Sequence, residues 1–173
     1  MALPEITQKV KLFFAILIIK TFDIEKIFSI IESNWGKIDY KSKLYNFDIT
    51  DYYKDEMGEN LYRFFVSVEN LIKPYEIGTI KMMTNAIESA FLQKNKRPVN
   101  IDPGYMDYQK VVLASLKFGG QKIALFEGMY ADMVLYYKKG SFITFPWTFP
   151  DFKTDKYYKD LLEIRTLYKK QLK

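Results

Sequence analysis

The chain contains no cysteine and no histidine. Without cysteine there is no disulfide framework, no thiolate nucleophile and no metal site of the cysteine type. Without histidine, Ser-His and Cys-His catalytic systems, imidazole ligands and the usual neutral-pH proton shuttle are excluded. No zinc, haem or iron–sulfur cofactor is therefore expected. Any catalysis has to run on Asp, Glu, Lys, Tyr, Ser or Thr, and Mg²⁺ or Ca²⁺ is the kind of metal such oxygen ligands would take.

Arginine is nearly as scarce. Only Arg63, Arg97 and Arg165 stand among the 26 basic residues, and the formal charge is +5 against 21 acidic residues. Arginine is the preferred bidentate reader of phosphate and guanine, so its scarcity weighs against a sequence-specific nucleic-acid binder. Long apolar runs are missing too. The longest, Leu12 to Ile19, has eight residues, where a membrane span needs about 20. It reads as a buried strand, with no membrane partner implied. No charged-then-apolar leader with a small-residue cleavage site precedes it, and the expectation is a cytoplasmic protein.

What is present suffices for one domain. The 173 residues are 49% apolar and 17% aromatic, enough large apolar surface to offset the entropy of ordering the chain. No composition break or internal repeat divides residues 1–173.

Hydrophobic periodicity supplies the element order. Residues 10–19 form a strand buried on both faces, and Asp23 opens a helix that Gly36 closes. Ile38 to Leu44 alternates as a strand with one wet face. Leu61 to Val68 is a strand that puts Tyr62, Phe64, Val66 and Val68 on one side and Arg63 opposite. Pro74 starts a helix through Phe91, and Pro98 to Asp102 is a short strand before a Pro103-Gly104 turn. The order is that of a ferredoxin-like βαββαβ unit over residues 9–105. In the extension, 106–173, Asp107 caps a short helix through about Leu116. Strands at 123–126, 130–137 and 142–145 follow, with a tight turn at Lys138-Lys139-Gly140. A terminal helix begins at Thr154. The fold class is α+β: a ferredoxin-like unit with a C-terminal helix, a β-hairpin and a terminal helix packed on it.

Chemistry-bearing residues gather in four places. In Phe47 to Gly58, Asp48, Asp51 and Asp55 share one face if helical, and close carboxylates call for a cation or protons. The same residues also suit a short capped helix, with Asp48 or Thr50 as N-cap and Gly58 as C-cap. Tyr53 lies among them. Asn100 to Tyr105 sets Asp102 and Tyr105 at a strand terminus, where Asp-Pro-Gly is also plain turn chemistry. Glu127 and Asp132 lie in or beside a hairpin and would pair as acid and base if both point inward. Phe145 to Phe152 carries two prolines and so crosses the surface in extended form. Its aromatics, Trp147 among them, either cover the core edge or offer a stacking platform, with Asp151 alongside.

Four of these landmarks, taken in order, carry a resemblance. Val10-Lys11-Leu12-Phe13, Phe47 to Tyr53 with Glu56-Met57-Gly58, Asn100 to Tyr105, and Pro146 to Asp151 resemble a bacterial domain-of-unknown-function family, number 4416, over essentially the whole chain. The resemblance implies no established activity and no catalytic residue. Some members carry a GTP-binding label. The chain has no GxxxxGK[ST] cradle, and Asn95-Lys96-Arg97-Pro98 lacks the aspartate of a guanine-reading NKxD.

Three functions follow as expectations. The first is a protein that binds an unidentified ligand or protein partner, without a catalytic constellation. The second is a nucleotide- or phosphate-binding protein or enzyme using Mg²⁺ held by Asp48, Asp51 or Asp102. The third is single-stranded RNA binding through stacked Tyr and Trp.

Overall fold

The computed structural model describes residue 3 and residues 5–173. It has four helices and one antiparallel sheet of nine strands among the described residues. β1 (Val10–Ile19) lies in the sheet interior, with β4 (Leu61–Ile72) on one side and β5 (Val99–Met106) on the other. β2 (Ile38–Lys41) and β3 (Tyr45–Phe47) both pair with β4. β6 (Lys110–Ser115), β8 (Met129–Lys138) and β7 (Ile123–Phe126) extend the sheet beyond β5, and β9 (Ser141–Thr144) pairs with β8.

The apolar run of β1 is buried on both faces because helices cover both. Leu12, Phe14, Ile16 and Ile18 face α1 (Ile24–Trp35) and α3 (Ile77–Ala90), where Ile27, Ile31, Ile77 and Ile80 complete the core. Phe13 and Ala15 face the other way, against α4 (Tyr158–Gln171) through Leu161 and Ile164. Period-two alternation thus feeds two cores from one strand. Lys11 sits on the α4 side, fully buried. Its ammonium donates to the Asp39 carboxylate, to Val68 O (2.7 Å) and to Gln171 Oε1 (2.9 Å), which uses all three of its protons. The same side of the sheet holds Asp160, whose carboxylate accepts from the hydroxyls of both Tyr40 and Tyr45.

Several expectations are corrected. The helix expected over 107–116 is strand β6. Asp107 does cap, but it caps a turn: its Oδ1 accepts from the N–H groups of Gln109 and Lys110, both at 2.8 Å. That Asx turn folds β5 back onto β6, and the β-branched Val111-Val112 then continue as strand. Pro103-Gly104 is not a turn but the middle of β5. The strand expected over 38–44 ends at Lys41 as β2, and β3 begins only beyond it, at Tyr45. The acidic segment forms only one turn of helix, α2 (Lys54–Met57), capped by neither Asp48 nor Thr50. Thr50 Oγ1 accepts from Tyr52 N–H instead, and Gly58 takes the positive φ expected of it. Residues 146–153 fold as successive turns, not in extended form, and Phe152 is buried among Phe65 and Tyr157. The terminal helix starts at Tyr158 after a 3₁₀ turn over Asp155–Tyr157, and the Thr154 hydroxyl donates to Asp151 O without capping it. The hairpin at Lys139-Gly140 is as expected, with both residues at positive φ.

Candidate functional site: a charged cleft where the sheet divides

β5 and β6 are paired only over Gly104–Met106. β5 runs on with β1 back to Val99, while β6 leaves with β8 through Ser115. The sheet therefore divides, and a cleft of about 780 Å³ opens between the diverging strands.

Division leaves the outer edge of β5 without a partner strand, and α3 supplies side chains in its place. Lys81 Nζ donates to Ile101 O (3.0 Å), and Glu88 Oε1 accepts from Ile101 N–H (2.7 Å). Since strand groups alternate in direction, the nitrogen of residue 103 also faces the open edge. Proline has no N–H to lose there, so Pro103 fits a strand it would break elsewhere. Gly104 lies where the strands converge again. A Cβ there would come 2.6 Å from both the Phe13 ring and Leu113 Cδ2, and 2.7 Å from Val112 O.

Register explains which polar groups reach the cleft. Arg63 of β4 and Asn100 of β5 both stand opposite Leu17, and Phe65 and Asp102 both stand opposite Ala15. Directly opposed residues share a face, so Arg63, Asn100 and Asp102 project together, with the small Ala15 between. Asn100 Nδ2 donates to Asp102 Oδ2 (2.7 Å), and Lys81 donates to Asp102 Oδ1 (3.0 Å). Arg97 closes the circuit, donating to Asn100 Oδ1 (3.0 Å) and Glu88 Oε2 (2.6 Å) and reaching Glu56 at the rim. This ring satisfies its members and fixes the β5 wall. Burial alone would raise the Asp102 pKa, but the charges of Lys81 and Arg63 hold it below the ordinary carboxylate value. Glu88 is shifted upward, burial outweighing Lys81 and Arg97.

Other groups in the cleft are not satisfied. Arg63 is 3% exposed, and its Nε and Nη1 have no hydrogen-bond partner among the described residues. Asp151 Oδ2 lies 3.3 Å from Nε and Asp102 Oδ2 lies 3.9 Å from Nη1, close enough to balance charge without forming hydrogen bonds. Burial opposes the Arg63 charge, yet the nearby acidic groups keep its pKa raised. Asp151 Oδ2 is itself unpartnered, as is the buried Tyr157 hydroxyl. On the opposite wall Asp132 is 1% exposed and its Oδ1 is unpartnered. Lys122 stays 3.7 Å from Asp132 Oδ2 because its own bonds go to Ser115 Oγ (2.8 Å) and Lys117 O (3.0 Å). Burial consequently raises the Asp132 pKa. Tyr53, between the walls, is pushed up to about 12 by burial and then by the Asp102 charge. Tyr52, Phe118 and Phe149 form an exposed aromatic rim.

Of the residues singled out in the sequence, Tyr53, Asp102, Asp132 and Asp151 line this cleft. The others do not join them. Asp48 is exposed, 4.0 Å from Lys156 Nζ, and Asp51 is exposed on the acidic segment. Neither meets Asp102, and no group of three or more acidic side chains among the described residues is placed to hold a metal ion. Tyr105 faces the core beneath α1 and α3. Glu127 is exposed in the β7–β8 turn, away from Asp132. Trp147 stacks on Phe145 (centroids 4.9 Å, planes 3° apart) and donates Nε1–H to Met133 O. Sequence reasoning missed Lys81, Glu88 and Lys122, and it noted Arg63, Arg97 and Asn100 without their roles. One signal was available: Lys81, Thr84 and Glu88 fall at helical spacing on the face of α3 that carries Ile77 and Ile80.

Fold and site together define a mixed α+β protein with a polar cleft built into a divided antiparallel sheet. The chain belongs to the family described as a domain of unknown function (DUF4416), which matches residues 8–168. No curated protein and no solved structure matches it. Among the described residues no helix is long and apolar enough to cross a membrane.

Proposed function

We propose that this protein binds a small polar molecule in the cleft between β5 and β6, and that binding, not a catalytic constellation, is its activity. The scaffold is read as a ferredoxin-like unit. That reading is supported by the antiparallel order β2-β4-β1-β5 and by helices α1 and α3 connecting β1 to β2 and β4 to β5 on one face.

One observation carries the functional reading: Arg63 lines a cleft, and two donors of its buried guanidinium have no hydrogen-bond partner among the described residues. Leaving donors on a buried charged group without acceptors is costly, and such groups concentrate where a ligand completes them. The Mg²⁺–nucleotide reading has less support, because Asp48 and Asp51 stand apart from Asp102. RNA stacking on Trp147 has less as well, since Phe145 already occupies one face of the indole.

The test is a fragment screen by two-dimensional NMR on the labelled full chain. Binders should shift the amides of Asn100, Asp102, Ser115 and Lys117 together. A diverse library that moves none of them would retire the cleft as a ligand site.

A further inference from the structure

We infer that the cleft ligand is a zwitterion: a compact molecule with an anionic oxygen group for Arg63 and a cationic or strongly donating nitrogen group for Asp132. The inference rests on the cleft being a ligand site and adds what class of molecule fits it.

Asp102 is next to Arg63, but both its oxygens are occupied, one by Lys81 and one by Asn100. Asp151 neutralises Arg63 without accepting its Nε–H. Unbonded N–H donors on a guanidinium that cannot lose its charge, here on two different edges of it, call for anionic oxygen acceptors such as those of a carboxylate, phosphate or sulfonate.

The opposite wall presents the complementary need. Asp132 is buried, and its Oδ1 has no hydrogen-bond partner among the described residues. Lys122, 3.7 Å from Asp132 Oδ2, is held by Ser115 and Lys117 O and directs its hydrogen bonds to them. An acceptor in this setting is matched by a donor that brings positive charge.

The cleft as a whole favours neither sign. Five basic and five acidic side chains line it, so no one-sign field recruits a polyanion or a polycation. Selection falls to two points of opposite charge on opposite walls. A simple anion leaves Asp132 unmet, and a simple amine leaves Arg63 unmet. The exposed rings of Tyr52 and Phe118 at the mouth add surface for an apolar portion between or beyond the charged ends.

Isothermal titration calorimetry on the full chain tests this. The probes are the twenty standard amino acids, taurine and phosphoethanolamine, against acetate, inorganic phosphate and methylamine as single-charge controls. At least one zwitterion should bind saturably, and Asp132→Asn should weaken it by about tenfold or more, as expected when one partner of a buried charge pair is neutralised. Arg63→Gln should abolish it, and far-ultraviolet circular dichroism shows whether that variant still folds. If it does not fold, Asp132→Asn and the single-charge controls decide alone. Binding of acetate or phosphate as tight as the best zwitterion, and untouched by Asp132→Asn, overturns the inference. So does a fragment screen whose cleft binders carry one charge or none while no zwitterion binds; the cleft then stands as a site for another class. If neither set perturbs the cleft, both readings fall.

Discussion

Lys81 and Glu88, two turns apart on α3, hold the carbonyl and the N–H of the same residue, Ile101. Two side chains thus do for one strand edge what a neighbouring backbone does elsewhere in the sheet. Replacing Lys81 by Met strands Ile101 O and Asp102 Oδ1 at once and removes a cation beside Glu88. Removing one partner from a buried charge network costs about 3–5 kcal/mol, readable as a lower urea midpoint at unchanged slope. Glu88→Gln keeps an acceptor for the Ile101 N–H and should lose less, about 1–3 kcal/mol. A loss below about 1 kcal/mol for Lys81→Met would mean that the edge is held by something else.

Asp102 and Asp132 should give opposite pH signatures. The folded-state pKa of Asp102 is depressed, so its contribution is full above the unfolded carboxyl value near pH 4 and disappears as pH falls through the lower folded value. Asp102→Asn should therefore lower the melting temperature at pH 7, and the gap should narrow below about pH 4. Asp132 is raised, so its charge becomes a burden as pH climbs from about 4 through its higher folded value. Asp132→Asn should raise the melting temperature at pH 7 to 8 and change little near about pH 3.5. Melting curves across pH check both signs, and parallel profiles for the two variants would contradict the assignment.

Gly104→Ala tests the point where the sheet divides. Its Cβ would overlap the Phe13 ring, Leu113 and the Val112 carbonyl. Overpacking of this kind costs about 1–3 kcal/mol. Because β5 and β6 are paired only from Gly104 to Met106, hydrogen exchange should also accelerate at Val111 to Leu113. Unchanged exchange there would show that the strands accommodate a methyl group.

The Asp160 carboxylate, shared by Tyr40 and Tyr45, ties β2 and β3 to α4. Each Tyr→Phe change removes one hydrogen bond to a charged group, an expected loss of about 1.5–3 kcal/mol. The double variant should lose less than the sum, because Asp160 regains solvation once both hydroxyls are gone. Additive losses in chemical denaturation would argue against a shared carboxylate.

The strands and long helices were legible because their apolar periods are strong: β1 as a continuous run, β4 by alternation, α1 between Asp23 and Gly36. The errors fell where short-range chemistry has two readings. Asp107 before Val111-Val112 is a cap in either case, and only the arrival of β6 beside β5 makes it a turn cap. Pro103 reads as a breaker until its nitrogen is seen to face an edge with no partner. The site was half visible. Asp102, Asp132 and Asp151 stood out as acids in motifs, but their counterparts Arg63, Lys81 and Lys122 come from a strand, a helix and a turn that only the folded chain brings together. The Asp48–Asp51 cluster was the most conspicuous in the chain and stands outside the cleft, because exposed acids need no partner.

The burial of Lys11 bears on how the chain is made. One of its three acceptors, Gln171, lies 160 residues further along, and Tyr168 donates to the carbonyl of Lys9 across 159 residues. At about 5–20 residues per second of synthesis, roughly 8–30 s separate the emergence of β1 from that of α4. Through that interval the most apolar strand has one face uncovered and an ammonium whose cage is incomplete. A nascent chain in this state is a natural client for a holding chaperone, and truncation before α4 should convert a foldable polypeptide into an aggregating one.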